Sequence, residues 1–212
     1  MEETLLILNG NPPAEELLTW RLDEANHIVA VDGGWYALKK ADLLPTVIIG
    51  DFDSCKELEQ IKSNYPDLEI VHSTDQDTTD LEKAIRWVET NTRTKKLIIL
   101  GGLGKRSDHF LSNLLISMCI KEDWSVVFDD DHEWISRVTP ASPLDIGGRK
   151  GSAVSILPLV SCSGVDSKGL KWELNNASLS PGGRISQSNL CTSDEVEIRC
   201  GEGCLMVFLS KH

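Results

Sequence analysis

The sequence lacks the features that mark zinc-binding, exported or membrane-spanning chains. Its 212 residues include six cysteines but no Cys-x-x-Cys pair, and the five histidines show no metal-ligand spacing. No apolar run approaches the ~20 residues that a membrane helix needs. The acidic start Met-Glu-Glu-Thr is unlike a signal peptide. We therefore expect a cytoplasmic chain with reduced thiols, no zinc site and no membrane partner.

Basic residues are too few for a nucleic-acid-binding surface, because the formal net charge is −12. Residues 1–136 carry 26 acidic and 13 basic side chains, whereas residues 137–212 carry 7 and 8. Nothing in either part resembles the basic face that nucleic acid requires. We expect no nucleic-acid partner, and we expect the acidic first two-thirds to attract cations.

The first two-thirds of the chain alternates apolar runs with amphipathic stretches. The apolar runs predict buried strands at residues 4–8, 27–31, 46–49, 68–71, 96–100 and 125–128. The amphipathic stretches predict helices at residues 14–25, 35–41, 55–64, 79–92 and 107–120. This alternation is typical of a mostly parallel sheet covered by helices on both faces, which is an α/β/α sandwich.

The last third of the chain has a different pattern, beginning near Trp134. Glycine and proline interrupt short runs of Val, Ile, Leu and Ser, and no segment shows helical periodicity. This pattern predicts a small all-β domain, a sandwich or a barrel, of which we expect the sandwich. Pro140, Pro143 and the pair Gly147-Gly148 cluster between the two patterns. We therefore predict an α/β domain at residues 1–139 and an all-β domain at residues 140–212.

Three clusters rich in carboxylates or glycines each follow an apolar run. They are Gly50-Asp51-Phe52-Asp53, Asp75-Gln76-Asp77-Thr78-Thr79-Asp80 and Gly101-Gly102-Leu103-Gly104-Lys105-Arg106. In parallel sheets ligands bind beyond the carboxyl ends of the strands, so all three clusters can meet at one edge. Carboxylates repel one another unless a cation lies among them. Hard oxygen ligands beside a glycine-rich turn and a basic pair suit a magnesium-nucleotide site.

The two acidic clusters also have structural explanations. If the strand continues, Asp51 and Asp53 project to the same side and can share one Mg²⁺, but aspartate is also common in turns. Asp77 precedes Asp80 by the spacing of a helix N-cap to its third residue. Three acids within residues 75–80 nevertheless exceed what a cap needs.

The glycine-rich cluster resembles a phosphate-binding loop without matching either standard fingerprint. Arg106 occupies the position of the Ser or Thr in a P-loop, and Ser107 that of the third glycine in a Rossmann loop. Ser107 or Asp108 can alternatively cap the following helix. We expect Arg106 to neutralise phosphate charge, because a planar guanidinium binds paired oxygens.

Taken in order, the clusters resemble the signature of the thiamin pyrophosphokinase family. The matching segments are Asp32-Gly33-Gly34, Gly50-Asp51-Phe52-Asp53-Ser54, the run from Asp75 to Asp80, and the run from Gly101 to Asp108. Two later segments resemble that family's thiamine-binding strands. These are Gly169-Leu170-Lys171-Trp172-Glu173-Leu174 and Ser186-Gln187-Ser188-Asn189. The resemblance covers nearly the whole chain.

The resemblance implies a homodimeric, magnesium-dependent enzyme that transfers diphosphate from ATP to thiamine, giving thiamine diphosphate and AMP. It implies that the Mg²⁺ ligands are Asp51, Asp53 and Asp80. It implies that the nucleotide site comprises Asp32, Gly33, Gly34, Gly102, Lys105 and Arg106. Gln76 and Asp108 are implied to act in catalysis on the substrate side. Trp172 is implied to stack on the thiamine pyrimidine, with Ser188 and Asn189 beside it.

Two other functions remain open from the sequence. The apolar strand before Asp51-Phe52-Asp53 also resembles the nucleophile motif of haloacid-dehalogenase-type phosphatases, in which Asp51 would form an aspartyl-phosphate. The phosphatase hypothesis leaves the all-β domain without a role. The other alternative is a non-catalytic sensor of thiamine or nucleotide. Turnover with ATP and thiamine distinguishes the three functions. Release of AMP indicates diphosphate transfer, free phosphate indicates a phosphatase, and neither product indicates a sensor.

Overall fold

A computed structural model describes residues 2–52 and 57–211 and divides the chain into two compact units. The first unit comprises Met1–Ile116 with Phe128–Asp130, and the second comprises Ser117–Val127 with Asp131–His212. The predicted fold class, an α/β region followed by an all-β region, is confirmed. The functional domains predicted at residues 1–139 and 140–212 stay a prediction.

The first unit is built on a parallel sheet with the strand order β5-β1-β2-β3-β4. The strands are β1 (Glu3–Ile7), β2 (His27–Val31), β3 (Val47–Gly50), β4 (Glu69–His72) and β5 (Lys96–Leu100). In the register of the sheet, Leu5 lies opposite Ile28 on one side and Ile98 on the other. Strands β1 and β3 are buried along their whole length, as expected of strands covered on both faces.

Helices connect these strands, as predicted. They are α1 (Glu15–Glu24), α2 (Trp35–Lys40), α3 (Leu58–Asn64), α4 (Asp80–Asn91) and α5 (Ser107–Ser117). The chain then forms β6 (Ser125–Asp129). The predicted helix at residues 55–64 begins outside the described residues, and α5 ends three residues earlier than predicted. Within the described chain, no helix is long and apolar enough to cross a membrane.

Helix α4 shows how the sequence fixes the start of an element at the carboxyl edge of the sheet. Its buried apolar positions follow helical spacing and are Leu81, Ala84, Ile85 and Val88. The Thr79 hydroxyl accepts a hydrogen bond from the Glu82 backbone N–H at 3.3 Å. The Glu82 carboxylate accepts one from the Thr79 backbone N–H at 2.8 Å. This reciprocal capping box makes Asp80 the first helical residue.

The second unit contains antiparallel strands in two groups. One group has the order β12-β9-β14-β7, and the other has the order β11-β10-β13-β8. The strands are β7 (Glu133–Val138), β8 (Leu144–Gly147), β9 (Ala153–Pro158), β10 (Cys162–Lys168), β11 (Ala177–Leu179), β12 (Ser186–Leu190), β13 (Glu195–Arg199) and β14 (Leu205–Ser210). Both groups contribute to one buried core, which includes Ile156 and Val207 from the first and Val165 and Ile198 from the second. This is the predicted sandwich.

The described cysteines are all free thiols. Burial raises the pKa of Cys200 to about 12 and that of Cys204 to about 11. Both side chains are therefore neutral at physiological pH and pack as small apolar groups.

A buried arginine donates hydrogen bonds to the backbone of the segment between α5 and β6. Arg137 on β7 is 2% exposed, and burial lowers the pKa of its guanidinium. One terminal nitrogen donates to the carbonyls of Ser117 and Ile120 at 2.6 and 2.8 Å, and the other donates to Lys121 and Trp124 at 2.7 Å each. These carbonyls follow the end of α5, where the helix leaves acceptors unpaired.

We expect Arg137→Met to lower the free energy of unfolding by at least ~3 kcal/mol, because it leaves several buried carbonyls without a donor. Urea denaturation followed by circular dichroism measures the change. Arg149→Met removes an exposed arginine of the same unit and is the matched control. An Arg137→Met midpoint equal to that of the control would show that the carbonyls find other donors.

Candidate active site

A cavity of about 680 Å³ lies in the first unit and is lined by the segments that follow the parallel strands. Because all five strands run the same way, their carboxyl ends lie at one edge of the sheet. Most of the residues predicted for the catalytic and nucleotide site line this cavity. They are Asp32, Asp51, Gln76, Asp80, Gly102, Lys105 and Arg106. The three clusters therefore meet at one edge of the sheet, as predicted.

Two of these segments, after β1 and after β5, pack directly against each other. The Leu8 N–H donates to the Leu100 carbonyl at 2.9 Å, and the Gly10 N–H donates to the Gly101 carbonyl at 2.8 Å. A Cβ at Gly10 would lie 2.0 Å from the Gly101 oxygen, so only glycine permits this approach. Gly101 also has φ 65°, and a Cβ there would lie 2.4 Å from the Leu8 oxygen. Gly10 and Gly101 therefore allow the two loops to pack against each other.

The two basic residues of the β5 loop, Lys105 and Arg106, have different hydrogen-bond partners. Lys105 has φ 55°, an uncommon conformation for a side chain with a Cβ. Its ammonium donates to the Asn9 carbonyl at 2.8 Å, which ties it to the β1 loop. The Arg106 guanidinium instead donates to both carboxylate oxygens of Asp108.

The Arg106–Asp108 pair lies largely in solvent, with side chains 65% and 63% exposed. Hydrogen bonding to Arg106 lowers the pKa of Asp108 to about 2. An exposed ion pair contributes little to stability, so Arg106 can exchange this partner for a phosphate group at small cost. Asp108 itself does not line the cavity described above.

The β2 and β3 loops bring two carboxylates into the cavity by a close backbone contact. Asp32 is buried with φ 48°, and a Cβ on Gly50 would lie 3.2 Å from the Asp32 Cα. Asp51 follows Gly50 directly and lines the same cavity. Gly34 packs under this region, where a Cβ would lie 1.8 Å from the Ile7 oxygen.

The strand geometry on which the Asp51 and Asp53 prediction depended does not continue past β3. The strand ends at Gly50, and Phe52 is left-handed at φ 63°, which is strained for a residue with a bulky side chain. The Phe52 ring is buried against His72, with ring centroids 5.6 Å apart. Asp53 lies outside the described residues, so the pairing of the two carboxylates stays a prediction.

The acidic segment before α4 is organised differently from the predicted cap. Thr79 is the N-cap and forms a capping box with Glu82, so the structural alternative in which Asp77 caps the helix is wrong. Asp75 instead closes the loop by accepting from the Thr78 hydroxyl at 2.6 Å and the Asp77 N–H at 2.9 Å. These hydrogen bonds lower the pKa of Asp75. The Asp80 carboxylate is not used in capping and lines the cavity.

A buried lysine beside Asp80 is a site residue that the sequence interpretation missed. The Lys83 ammonium lies 3.0 Å from the Asp80 carboxylate and 3.4 Å from the Ser73 carbonyl, and its side chain is only 7% exposed. The available signal was the i, i+3 spacing of opposite charges on a helix. The Asn9 loop and Asn113, whose amide donates to the Gly102 carbonyl at 2.9 Å, were also missed.

The donor set of this cavity fits a hard divalent cation and its phosphate ligands. Five aspartates line it against Lys83, Lys105 and Arg106, so the carboxylates are not balanced by protein cations alone. The aspartates are Asp32, Asp51, Asp75, Asp77 and Asp80. Oxygen ligands of this kind are those that Mg²⁺ prefers. Within residues 2–52 and 57–211, however, no three His, Cys, Asp or Glu side chains form a ready-made metal cluster.

Of the residues predicted on the substrate side, Trp172, Ser188 and Asn189 lie in the second unit, whereas Gln76 and Asp108 lie in the first. Trp172 is 57% exposed, and the Lys171 ammonium lies 4.6 Å from its ring centroid. Ser188 is exposed, and its backbone N–H donates to the Ser155 hydroxyl at 2.9 Å. Trp172 is therefore not a core residue, and its exposed ring suits a surface that binds a flat ligand.

Asn189 holds the backbone of Trp172 in place. Its side chain is 2% exposed, accepts from the Trp172 N–H at 3.1 Å and donates to the Trp172 carbonyl at 2.7 Å. It also accepts from the Leu190 N–H at 2.8 Å and donates to the Ser186 hydroxyl at 3.3 Å. All four hydrogen-bonding positions of the amide are thus used within the protein.

Family models match both parts of the chain. Residues 19–128 match the model described as thiamin pyrophosphokinase, catalytic domain, and residues 143–205 match the model described as thiamin pyrophosphokinase, vitamin B1 binding domain. The cavity described above is lined largely from within the first of these ranges. The exposed Trp172 lies within the second.

Curated relatives and solved structures agree with these matches. The chain is 33% identical over 205 residues to thiamin pyrophosphokinase 1 of Caenorhabditis elegans, covering 91% of this chain and 83% of that protein. It is 30% identical over 184 residues to thiamine pyrophosphokinase of Bacillus subtilis, covering 84% and 82%. The crystal structure of thiamine pyrophosphokinase from Bacillus subtilis superposes with a TM-score of 0.83 at 26% identity, covering all of both chains.

We expect Arg106→Gln to raise the pKa of Asp108 from about 2 toward its ordinary value of 3.8, because the variant removes the main hydrogen-bond donor. Since the folded pKa is depressed, this pair stabilises the folded state above pH ~4, and the contribution is lost as the pH falls toward 2. A carboxyl NMR titration measures the shift, with Lys105→Gln as the control that should leave it unchanged. A pKa near 3.8 in the unaltered chain would contradict the pairing.

Proposed function

The chain belongs to the thiamin pyrophosphokinase family, and on that premise we propose that it transfers a diphosphate group from ATP to thiamine. The products are thiamine diphosphate and AMP. The observation that carries this proposal is the convergence of five aspartates, a glycine-bounded loop and Arg106 on one cavity at the carboxyl edge of the sheet. The comparisons favour neither the phosphatase nor the sensor alternative.

In the proposed reaction the hydroxyl oxygen of thiamine forms a bond to the β-phosphorus of ATP. The bond between that phosphorus and the oxygen bridging to the α-phosphorus breaks, and AMP leaves with that oxygen. The hydroxyl proton is lost to solvent or to a nearby carboxylate. Little covalent work is required of the protein, so catalysis depends on positioning and on neutralising phosphate charge.

Mg²⁺ is the proposed metal, and Asp51, Asp53 and Asp80 would hold it. When bound, it supplies positive charge to the phosphate oxygens. The protein contributes oxygen donors from two different loops, and Lys83 keeps the Asp80 carboxylate oriented at 3.0 Å. Asp51 and Asp80 both line the cavity, which supports their part of this set.

The nucleotide phosphates are proposed to lie against the β1 and β5 loops. Lys105 and Arg106 supply positive charge there, and Gly102 lets the β5 loop pack on Phe128, where a Cβ would lie 2.9 Å from the ring. Asp32 and Gln76 line the same cavity and are proposed to orient the reacting groups. Gly33 and Gly34 act indirectly, because they let the β2 loop pack tightly on its neighbours. Asp108 is proposed to act on the substrate side and is released when Arg106 turns to phosphate.

Thiamine is proposed to bind through Trp172, whose exposed ring would stack on the flat pyrimidine. Ser188 would donate or accept at the ring nitrogen or amino group. Asn189 is proposed to contribute by fixing Trp172, since its amide is already fully hydrogen-bonded. The net charge of −12 favours approach of the cationic thiazolium over distance.

We also propose that the chain acts as a cytoplasmic homodimer without a nucleic-acid partner. The homodimer follows from the family resemblance alone. The cytoplasmic assignment is supported by the free thiols.

The proposed activity is tested by incubating the protein with ATP, Mg²⁺ and thiamine and resolving the products by chromatography. AMP and thiamine diphosphate should appear in equal amounts. Asp51→Asn and Asp53→Asn should each lower kcat by about a hundredfold or more, because each removes a proposed carboxylate ligand of Mg²⁺. Asp67→Asn, an exposed aspartate between α3 and β4, is the matched control.

ADP with thiamine monophosphate would contradict diphosphate transfer, and free phosphate would favour the phosphatase reading. Thiamine binding without any product would favour the sensor reading. Near-normal turnover in both aspartate variants would overturn the metal-ligand assignment.

We expect Trp172→Ala to raise the KM for thiamine about tenfold while leaving the KM for ATP unchanged, since aromatic stacking is lost on one substrate only. Trp172→Phe keeps an aromatic ring, so its KM for thiamine should lie between those of the unaltered chain and of Trp172→Ala. Steady-state kinetics with each substrate varied in turn measures both constants. A rise confined to the KM for ATP would show that Trp172 does not contact thiamine.

A further inference from the structure

One face of the exposed Trp172 ring is occupied by a lysine of the same strand end. The Lys171 ammonium lies 4.6 Å from the ring centroid, which is within the distance at which an aromatic face attracts a cation. The Trp172 side chain is nonetheless largely exposed, so its ring still has surface for a ligand. A flat ligand that stacks on Trp172 is therefore left the face opposite Lys171.

Backbone hydrogen bonds keep this lysine beside the ring. The Lys171 N–H donates to the Leu190 carbonyl at 2.9 Å. The Asn189 amide binds both the N–H and the carbonyl of Trp172. Both side chains therefore extend from one fixed stretch of backbone, and the ammonium and the ring keep their relative positions.

The charge of Lys171 is directed to the ring because carboxylates do not claim it. Lys168, three residues earlier, pairs with Glu197 at 3.5 Å, whereas Lys171 takes part in no ion pair within residues 2–52 and 57–211. The nearest carboxylate in sequence, Glu173, accepts a hydrogen bond from the Gly169 N–H at 3.0 Å. The ring of Trp172 therefore carries an unneutralised positive charge on one face.

Thiamine, the proposed acceptor, offers this ring two heterocycles of different charge. Its aminopyrimidine is neutral near physiological pH, whereas its thiazolium is a cation. An aromatic face attracts cations, so a tryptophan with both faces open would favour the thiazolium. A cation stacked opposite Lys171 would lie within about 10 Å of a like charge, a separation that 0.1 M salt does not fully screen. This repulsion acts against the thiazolium and not against the pyrimidine.

We propose that Lys171 is a positioning residue that determines which ring of thiamine stacks on Trp172. Its charge excludes the thiazolium from the opposite face and leaves that face to the pyrimidine. The hydroxyl that accepts the diphosphate is carried by the thiazolium, so this orientation keeps the reacting group away from the tryptophan. The inference rests on the proposed function for the identity of the ligand.

The proposal is tested with the two halves of thiamine as separate ligands, a hydroxymethyl aminopyrimidine and an N-methyl hydroxyethylthiazolium. NMR titration that follows the Trp172 indole resonance gives a Kd for each, and the absence of this resonance in Trp172→Phe assigns it. Lys171→Met removes the charge and keeps an unbranched side chain. It should lower the Kd for the thiazolium at least about threefold and leave the Kd for the pyrimidine unchanged.

Two further variants and a salt series separate the effect of charge from that of structure. Lys171→Arg keeps the positive charge and should bind both fragments like the unaltered chain. Lys168→Met removes another exposed lysine of the same unit and is the matched control. Salt at about 0.5 M should reduce the difference between Lys171→Met and the unaltered chain, because screening weakens the repulsion. Circular dichroism checks that every variant is folded.

An unchanged Kd for the thiazolium in Lys171→Met would overturn the proposal, and so would an equal change for both fragments. A Trp172 resonance that responds to neither fragment would overturn both this proposal and the proposed thiamine site. The titrations need no turnover, so they are separate from a test of activity. A selective gain in thiazolium affinity supports the role of Lys171 even if the chain forms no thiamine diphosphate.

Discussion

The close contact between the loops that follow β1 and β5 is the constraint on which the candidate site depends. Two neighbouring parallel strands end at the same edge, and the loops beyond them can touch only where side chains are absent. Gly10 and Gly101 meet this requirement, since a Cβ on either would overlap a carbonyl oxygen. The contact sets the position of Lys105 through its hydrogen bond to Asn9. Lys105 is thereby held beside the cavity, whereas Arg106 is paired with the exposed Asp108.

The aspartates at the acidic end of the cavity repel one another, so bringing them together costs free energy. Helix α4 begins at Asp80 because Thr79 and Glu82 complete a capping box, and this leaves the Asp80 carboxylate directed to the cavity. Lys83 offsets part of its charge from a buried position. The remaining aspartates still outnumber the cations around them, which is the physical reason to propose a metal-bound polyphosphate ligand. Preorganised charge of this kind is what diphosphate transfer needs.

The alternation of strands and helices, and the convergence of their loops, followed from the sequence because both depend on local patterns. Hydrophobic periodicity predicts the elements, and a parallel sheet leaves one edge for the ligand. Contacts between distant residues could not be predicted in this way. The N-cap of α4 is Thr79, whose capping box with Glu82 lies two residues beyond the Asp77 alternative. The left-handed Phe52, the Lys83–Asp80 contact and the role of Asn9 depend on tertiary packing. Asn189 was predicted beside thiamine, yet its amide is fully used in holding Trp172.

The most direct test of this account is a crystal structure of the protein with Mg²⁺ and α,β-methylene ATP, in which the bond proposed to break is blocked. The account predicts phosphate density against residues 9–11 and 101–106, within hydrogen-bonding reach of Lys105 and Arg106. It also predicts a metal ion about 2.1 Å from carboxylate oxygens of Asp51 and Asp80. Phosphates bound away from these two loops, or a metal ion that contacts neither aspartate, would contradict it.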